Sequence, residues 1–258
     1  MRPLADDRLA MTKNILLILH QEHSTPGRIA HRLIERGFRL DARRPRFGDP
    51  LPATLADHDG VIVFGGPMSA NDSDDYVKRE IDWTEVPLKE QKPYFGICLG
   101  AQILARKLGA RVDFHPKGLV EVGYYPLRAT PEGAALMEWP DYIYQWHREG
   151  FDLPEGAVRL AESDAFQNQA FQYGPAAFGV QFHPELTTKM VYRWTTLGHE
   201  RLALPNAKPR HEHFDGRGLH DIKTSRWLDR FLDLWTGLMK RPEESERSLS
   251  QNAKAVAK

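Results

Sequence analysis

The sequence predicts an α/β fold in which a mostly parallel β-sheet lies between two layers of helices. Short runs of consecutive apolar residues predict strands that are covered on both faces. Segments with helical spacing alternate with these runs, and short loops join them, which is typical of a parallel sheet. The chain has 258 residues, of which 41% are hydrophobic and 27% charged. This composition fits one sizeable core.

The first half of the chain carries the clearest alternation. Ser24 or Thr25 is expected to cap the first helix, because Pro26 suits a first helical turn. The apolar stripe of that helix consists of Ile29, Leu33 and Ile34. The predicted elements are, in order, a strand over 14–20, a helix from 26 to about 37, a strand over 61–64, a helix over 76–91 that Pro87 bends or ends, a strand over 93–97 and a helix over 99–108.

The second half of the chain is richer in short strand-like runs, which we expect to complete or decorate the same sheet. Strands are predicted over 120–127, 158–161, 165–172 and 177–182, and helices over 186–198 and 221–238. The last helix has an apolar stripe, made of Ile222, Trp227, Leu228, Phe231, Leu232, Trp235 and Leu238. The polar segment 199–220, which holds four histidines, is predicted to be a loop.

No linker divides the chain, so we predict one domain over residues 13–240. A loose N-terminal arm over 1–12 precedes it, and a charged tail over 241–258 with few large apolar residues is predicted to be disordered.

Charge and cysteine content narrow the function classes. The 35 Lys and Arg residues balance the 35 Asp and Glu residues, so no basic excess favours a nucleic-acid partner. No apolar run reaches the roughly 18–20 residues of a membrane span. Cys98 is the single cysteine, which excludes an intramolecular disulfide. With no secretory signal at the start of the chain, we expect a cytoplasmic protein.

Cys98 lies in the segment FGICLG, between a predicted strand and a predicted helix. This G-x-C-x-G pattern is typical of a nucleophile elbow, where small neighbours let strand and helix approach closely. The helix N-terminus favours a thiolate, and the amide of Leu99 would face an oxyanion beside the sulfur. The alternative is a buried cysteine that acts only as a small hydrophobic residue; the two glycines favour the elbow.

A cysteine nucleophile needs a base, and His183 is the best candidate among 11 histidines. It follows the strand-like run FGVQF, and Glu185 lies two residues further on. In extended backbone these two side chains face the same side, so the carboxylate could orient the imidazole. On spacing alone, a surface histidine in a turn is an equally good interpretation.

Together these segments resemble the class I (triad-type) glutamine amidotransferases. PYFGICLGAQILARKLGA resembles the nucleophile segment of that family, GVQFHPE its histidine–glutamate segment, and VIVFGGPMSAND its oxyanion-strand segment. QWHREGFDLPEGAVRLAESDAFQNQAF is similar to stand-alone members related to the glutaminase half of GMP synthase. The resemblance runs from about residue 13 to about 200 and implies a flavodoxin-like fold.

The resemblance also implies a reaction and its residues. Cys98 would attack the side-chain amide of glutamine, or another γ-glutamyl bond, and water would cleave the resulting thioester to glutamate. No metal or organic cofactor is required. The implied residues are the triad Cys98, His183 and Glu185, the oxyanion amides of Gly66 and Leu99, and the substrate-binding residues Gly65, Gln102, His147, Gln169, Ala170 and Phe171.

Three functional interpretations remain open at this point. The chain could pass ammonia to a separate synthetase subunit, because it contains no Walker-type phosphate loop of its own. It could be a self-contained hydrolase of γ-glutamyl compounds. It could also be a silent regulatory or binding protein on the same fold, which the intact triad disfavours. No metal site is predicted, since the histidines at 199, 211, 213 and 220 fit a solvated loop better than a zinc pattern.

Overall fold

The computed structural model describes residues 13–238 and confirms the predicted α/β class. The predicted arm over 1–12 and the predicted tail over 241–258 lie outside the described residues. The strands are β1 (Asn14–Ile18), β2 (Arg39–Arg43), β3 (Gly60–Val63), β4 (Tyr94–Ile97), β5 (Val112–Phe114), β6 (Glu121–Pro126), β7 (Arg128–Ala129), β8 (Tyr142–His147), β9 (Glu149–Phe151), β10 (Ala157–Glu162), β11 (Ala170–Tyr173) and β12 (Ala177–Val180). The helices are α1 (Gly27–Glu35), α2 (Asp75–Trp83), α3 (Glu85–Lys89), α4 (Leu99–Lys107), α5 (Pro131–Leu136), α6 (Thr188–Leu197) and α7 (Arg210–Trp235).

The central sheet has eight strands in the order β2-β1-β3-β4-β12-β11-β10-β7. Pairing is parallel from β2 through β12 and antiparallel from β12 to β7. Strand β4 lies between β3 and β12, with Gly96 opposite both Val63 and Gly179. Because parallel strands end at the same edge of a sheet, the residues that follow β3, β4 and β12 emerge side by side.

The core forms two layers, one on each face of the sheet. On one face, α1 and α7 bury residues such as Leu33 and Phe231 against β1, β3 and β4. On the other face, α2 and α4 bury residues such as Trp83 and Leu104. The structure therefore has the predicted three layers. Among the described residues, no helix is long and apolar enough to cross a membrane.

The predicted side-chain cap of the first helix is wrong. Helix α1 begins at Gly27, Pro26 occupies the capping position, and neither Ser24 nor Thr25 caps the helix. A tertiary contact replaces the cap, because the Arg28 amide donates a 3.0 Å hydrogen bond to the Glu185 carbonyl.

Other details of the first half also differ from the prediction. Ile34 is 57% exposed and lies outside the buried stripe of α1. Strand β2 was not predicted, because the polar sequence RLDAR of this edge strand lacks an apolar run. The predicted helix over 76–91 divides at Thr84, where α2 ends and α3 begins. Pro87 is tolerated in the first turn of α3, where an N–H would have no intrahelical acceptor.

The segment 199–220 is not a solvated loop, so that prediction is wrong. A 3-10 turn spans His199–Ala203, and α7 already begins at Arg210. His213 is fully buried: it accepts a 2.9 Å hydrogen bond from the Tyr144 hydroxyl and donates to the Lys208 carbonyl at 3.0 Å. Burial lowers the pKa of His213. Within residues 13–238, no group of three or more His, Cys, Asp or Glu is arranged to hold a metal ion.

Two further differences concern the second half. Ile222 and Leu238 are 60% and 50% exposed, so neither belongs to the buried face of the last helix. Strands β6 and β8 form a separate two-stranded sheet beside the main one. This small sheet carries the segment after β8 to the edge where the central parallel strands end, because the His183 amide donates to the Tyr144 carbonyl at 3.0 Å.

Candidate active site

Cys98 occupies a strained turn between β4 and α4. Its φ of 51° and ψ of −104° lie in a region that residues with a side chain rarely adopt. The turn is held by a 2.8 Å hydrogen bond from the Cys98 amide to the Val180 carbonyl. A side chain on Gly96 would lie 2.4 Å from the Gly100 carbonyl oxygen, and one on Gly100 would lie 2.0 Å from the Val63 oxygen. The two glycines of the motif are therefore required by close packing of strand and helix.

His183 and Glu185 follow β12 and form a buried pair. Nδ1 of the imidazole lies 2.8 Å from Oε1 of the carboxylate, and both residues are less than 5% exposed. The Trp194 ring packs edge-on against the imidazole with 4.8 Å between centroids. The Nε2 atom of His183 is buried and has no hydrogen-bond partner in the described residues.

The surroundings of His183 favour its charged form. Burial lowers the pKa of His183, but the negative charge of Glu185 and the proximity of Cys98 outweigh burial and raise the pKa to about 10. An imidazolium is therefore retained through neutral pH beside Cys98, which is the partner that a cysteine nucleophile requires.

The segment that follows β3, which contains Gly65 and Gly66, also lies beside Cys98 and His183. A side chain on Gly65 would lie 2.9 Å from Cε1 of His183 and 3.4 Å from Cβ of Cys98. The Gly66 amide makes no backbone hydrogen bond with the described residues. Leu99 is the first residue of α4, so its amide has no intrahelical acceptor. The two segments that meet at Cys98 thus each carry a backbone N–H without a backbone acceptor in the described residues.

Gln181 is a site residue that the sequence analysis did not find. Its Nε2 atom donates to Sγ of Cys98 at 3.5 Å, and its Oε1 accepts from Gln102 at 3.2 Å. The Gln102 amide also donates to the Glu149 carbonyl at 2.9 Å. The signal was present in the sequence, because Gln181 precedes His183 by the same two-residue step that separates His183 from Glu185.

A cavity opens above Cys98, and its rim is charged. Arg148 and Arg201 line it, and neither guanidinium lies within 4 Å of a carboxylate in residues 13–238. Burial and the like charge of Arg148 lower the pKa of Arg201. The cavity is lined by Gly66, Pro67, Met68, Cys98, Gln102, Trp146, His147, Arg148, Glu149 and Arg201.

The predicted substrate-binding residues fall into two groups. Gln102 and His147 line the cavity, and Gly65 lies beneath it against Cys98 and His183. Gln169, Ala170 and Phe171 are completely buried in the sheet and do not line the cavity. The Gln169 amide instead donates to Oε2 of Glu121 at 2.7 Å, and Oε2 also lies 3.0 Å from Nε2 of His147.

The sequence model of the family "Glutamine amidotransferase class-I" matches residues 17–191. The chain belongs to this family. It is 29% identical over 184 residues to the glutamine amidotransferase-like protein YfeJ of Salmonella typhimurium, a match that covers 67% of this chain and 76% of YfeJ. It is 33% identical over 137 residues to a subunit of the glutamine-hydrolyzing GMP synthase of Picrophilus torridus, covering 51% of this chain and 70% of that relative.

The architecture of this amidotransferase-family chain is shared with solved structures. A glutamine amidotransferase from Thermotoga maritima superposes with a TM-score of 0.78 at 29% identity, over 87% of this chain and 98% of that chain. The match to the undivided GMP synthase of Porphyromonas gingivalis covers only 26% of that protein. The chain therefore spans about a quarter of such whole enzymes.

Proposed function

We propose that this chain hydrolyses the side-chain amide of glutamine through a cysteine thioester. The observation that carries the proposal is the convergence of Cys98, on its strained elbow, with the buried His183–Glu185 pair and the free amide of Gly66. Membership of the class-I glutamine amidotransferase family supports glutamine as the substrate.

The proposed first step forms the thioester. The Cys98 thiolate attacks Cδ of the glutamine side chain, and the carbonyl oxygen becomes an oxyanion that the amides of Gly66 and Leu99 bind. The C–N bond then breaks, and Nε2 of the His183 imidazolium gives its proton to the leaving nitrogen, which departs as ammonia. Glu185 acts through His183, because it orients the imidazole and stabilises its charge.

The second step releases glutamate. Water attacks the γ-glutamyl thioester while neutral His183 accepts its proton, and the S–C bond breaks to regenerate the thiolate. The guanidinium groups of Arg148 and Arg201, which form no ion pair in the described residues, are suited to the α-carboxylate of the glutamyl group. Ammonia would leave either to solvent or to a synthetase partner, as in relatives whose names describe subunits of GMP synthase.

One comparison tests the proposal against its two alternatives. Ammonia and glutamate release are measured with glutamine and with γ-glutamyl dipeptides, for wild type and for Cys98→Ala. Turnover of glutamine that requires Cys98 supports the proposal. Preferential turnover of dipeptides supports a self-contained γ-glutamyl hydrolase. If wild type and Cys98→Ala behave identically with every substrate, and Cys98 forms no adduct with a glutamine-analogue electrophile, the chain is a silent member of the family.

A further inference from the structure

A second buried histidine–carboxylate pair lies directly behind the Gly65–Gly66 peptide. His20 follows β1, and Glu80 lies on α2; each is 1% exposed. Nε2 of His20 is 2.8 Å from Oε1 of Glu80, and Nδ1 is 3.2 Å from the carbonyl oxygen of Gly65. Neither residue lines the cavity above Cys98.

The hydrogen-bond partners determine the protonation of His20. A peptide carbonyl can only accept, so Nδ1 carries the proton donated to Gly65, while Nε2 shares a hydrogen bond with the Glu80 carboxyl group. Burial lowers the pKa of His20, but Glu80 and the hydrogen bond to Gly65 outweigh burial and the opposing charge of Arg46, and the pKa is raised. The Glu80 carboxyl group on Nε2 therefore fixes the imidazole with its Nδ1 proton directed at the Gly65 carbonyl.

The Gly65 carbonyl and the Gly66 N–H belong to the same peptide group. All peptide bonds of residues 13–238 are trans, so this N–H points away from the carbonyl and hence away from His20. Gly66 lines the cavity on the opposite side. Because glycine tolerates more backbone conformations than other residues, the hydrogen bond from His20 restrains the orientation of this peptide between two glycines.

We propose that His20 and Glu80 are positioning residues that hold the Gly65–Gly66 peptide with its N–H directed at the oxyanion, an inference that rests on the proposed function. The pair contacts neither substrate nor sulfur. Its effect is confined to the step in which negative charge develops on the substrate oxygen. Reactions of Cys98 that form no oxyanion should not depend on it.

The test replaces the pair as a unit, because truncating only one of the two side chains would leave the other buried polar group without a partner. His20→Leu combined with Glu80→Met keeps the interior apolar and removes the hydrogen bond to Gly65. Two rates are measured: alkylation of Cys98 by iodoacetamide, in which sulfur displaces iodide without an oxyanion, and glutamine hydrolysis. We expect alkylation to stay within about two-fold of wild type, and kcat to fall about 10²-fold with little change in KM, as expected when one oxyanion donor is lost.

Two further variants refine the test. Glu80→Gln still allows neutral His20 to donate from Nδ1 to Gly65, so it should recover most of kcat. His58→Leu is the matched control, because His58 pairs with Asp41 at 3.1 Å near the opposite end of β3; it should leave kcat unchanged. The positioning role is overturned if the double variant keeps wild-type kcat, or if alkylation, kcat and thermal stability fall together. A wild type that is alkylated but hydrolyses neither glutamine nor γ-glutamyl peptides refutes the proposed function itself.

Discussion

Substitution of Gly100 by alanine should damage both the stability and the chemistry of the elbow. The new Cβ would lie 2.0 Å from the Val63 carbonyl oxygen and 2.7 Å from its carbonyl carbon. These are backbone atoms of the central strand β3 and cannot rotate away. Relief of the contact to 3.0 Å requires α4 to move by about 1 Å relative to β3. Overpacking of this kind costs about 1–3 kcal/mol of unfolding free energy.

The same displacement moves the oxyanion donors apart, because Leu99 lies on α4 and Gly66 follows β3. A misplacement of about 1 Å can cost about 10²-fold in rate, so kcat for glutamine should fall by that order. Gly218→Ala is the matched control: Gly218 lies within α7, and no atom is within 4 Å of its Cβ position. The control should gain about 0.5–1 kcal/mol from helix propensity. Denaturant unfolding and steady-state kinetics check both variants, and a Gly100→Ala protein with wild-type stability and kcat would refute this reasoning.

Three further predictions concern the base, the cavity rim and the support of His183. Glu185→Gln removes the main charge that raises the pKa of His183 to about 10, so the imidazolium should lose its proton at lower pH than in wild type. The alkaline limb of the kcat–pH profile should therefore move to lower pH, and an unchanged limb would contradict the assignment. Arg201→Gln should raise KM for glutamine about ten-fold or more with a smaller effect on kcat, since a hydrogen bond to a charged group is worth about 1.5–3 kcal/mol. Substitution of the exposed Arg106 by glutamine serves as the control. Equal KM values for the Arg201→Gln protein and wild type would exclude a carboxylate contact. Thr187→Ala removes the N-terminal cap of α6, in which the Thr187 hydroxyl accepts a hydrogen bond from the Met190 amide at 3.3 Å. Thermal unfolding should show that the free energy of unfolding falls by about 1 kcal/mol. An unchanged free energy of unfolding would mean that the cap contributes nothing.

The parallel strands were predictable because buried strands appear as continuous apolar runs. Residues 14–18, 60–63 and 94–97 are such runs, and their order along the chain gives the edge at which Cys98 emerges. The edge strand β2 was not predictable in this way, since RLDAR is polar and its pairing with β1 is decided by tertiary contact. The buried strand β8 was also not predicted, because its sequence YIYQWH mixes aromatic and polar residues and contains no continuous aliphatic run.

The sequence likewise predicted one part of the candidate site and missed another. Cys98 and the His183–Glu185 pair each lie in a short motif, and the parallel pairing of β4 with β12 brings the two motifs together. Arg201 lies beyond the residues 17–191 that match the family, and only the 3-10 turn that carries it brings it to the cavity. Segment 199–220 was misjudged because polar residues suggest a loop, whereas His213 is buried through specific hydrogen bonds to Tyr144 and Lys208.

The account depends most directly on the covalent intermediate at Cys98. Wild-type protein mixed with glutamine is quenched in acid on the millisecond scale, and its peptides are analysed by mass spectrometry. We expect the peptide that contains Cys98 to carry a γ-glutamyl group, at a level that rises and then decays as glutamate is released, and no such adduct in Cys98→Ala. Steady release of glutamate and ammonia by the Cys98→Ala protein at the wild-type rate, without any adduct in the wild type, would contradict the proposed chemistry.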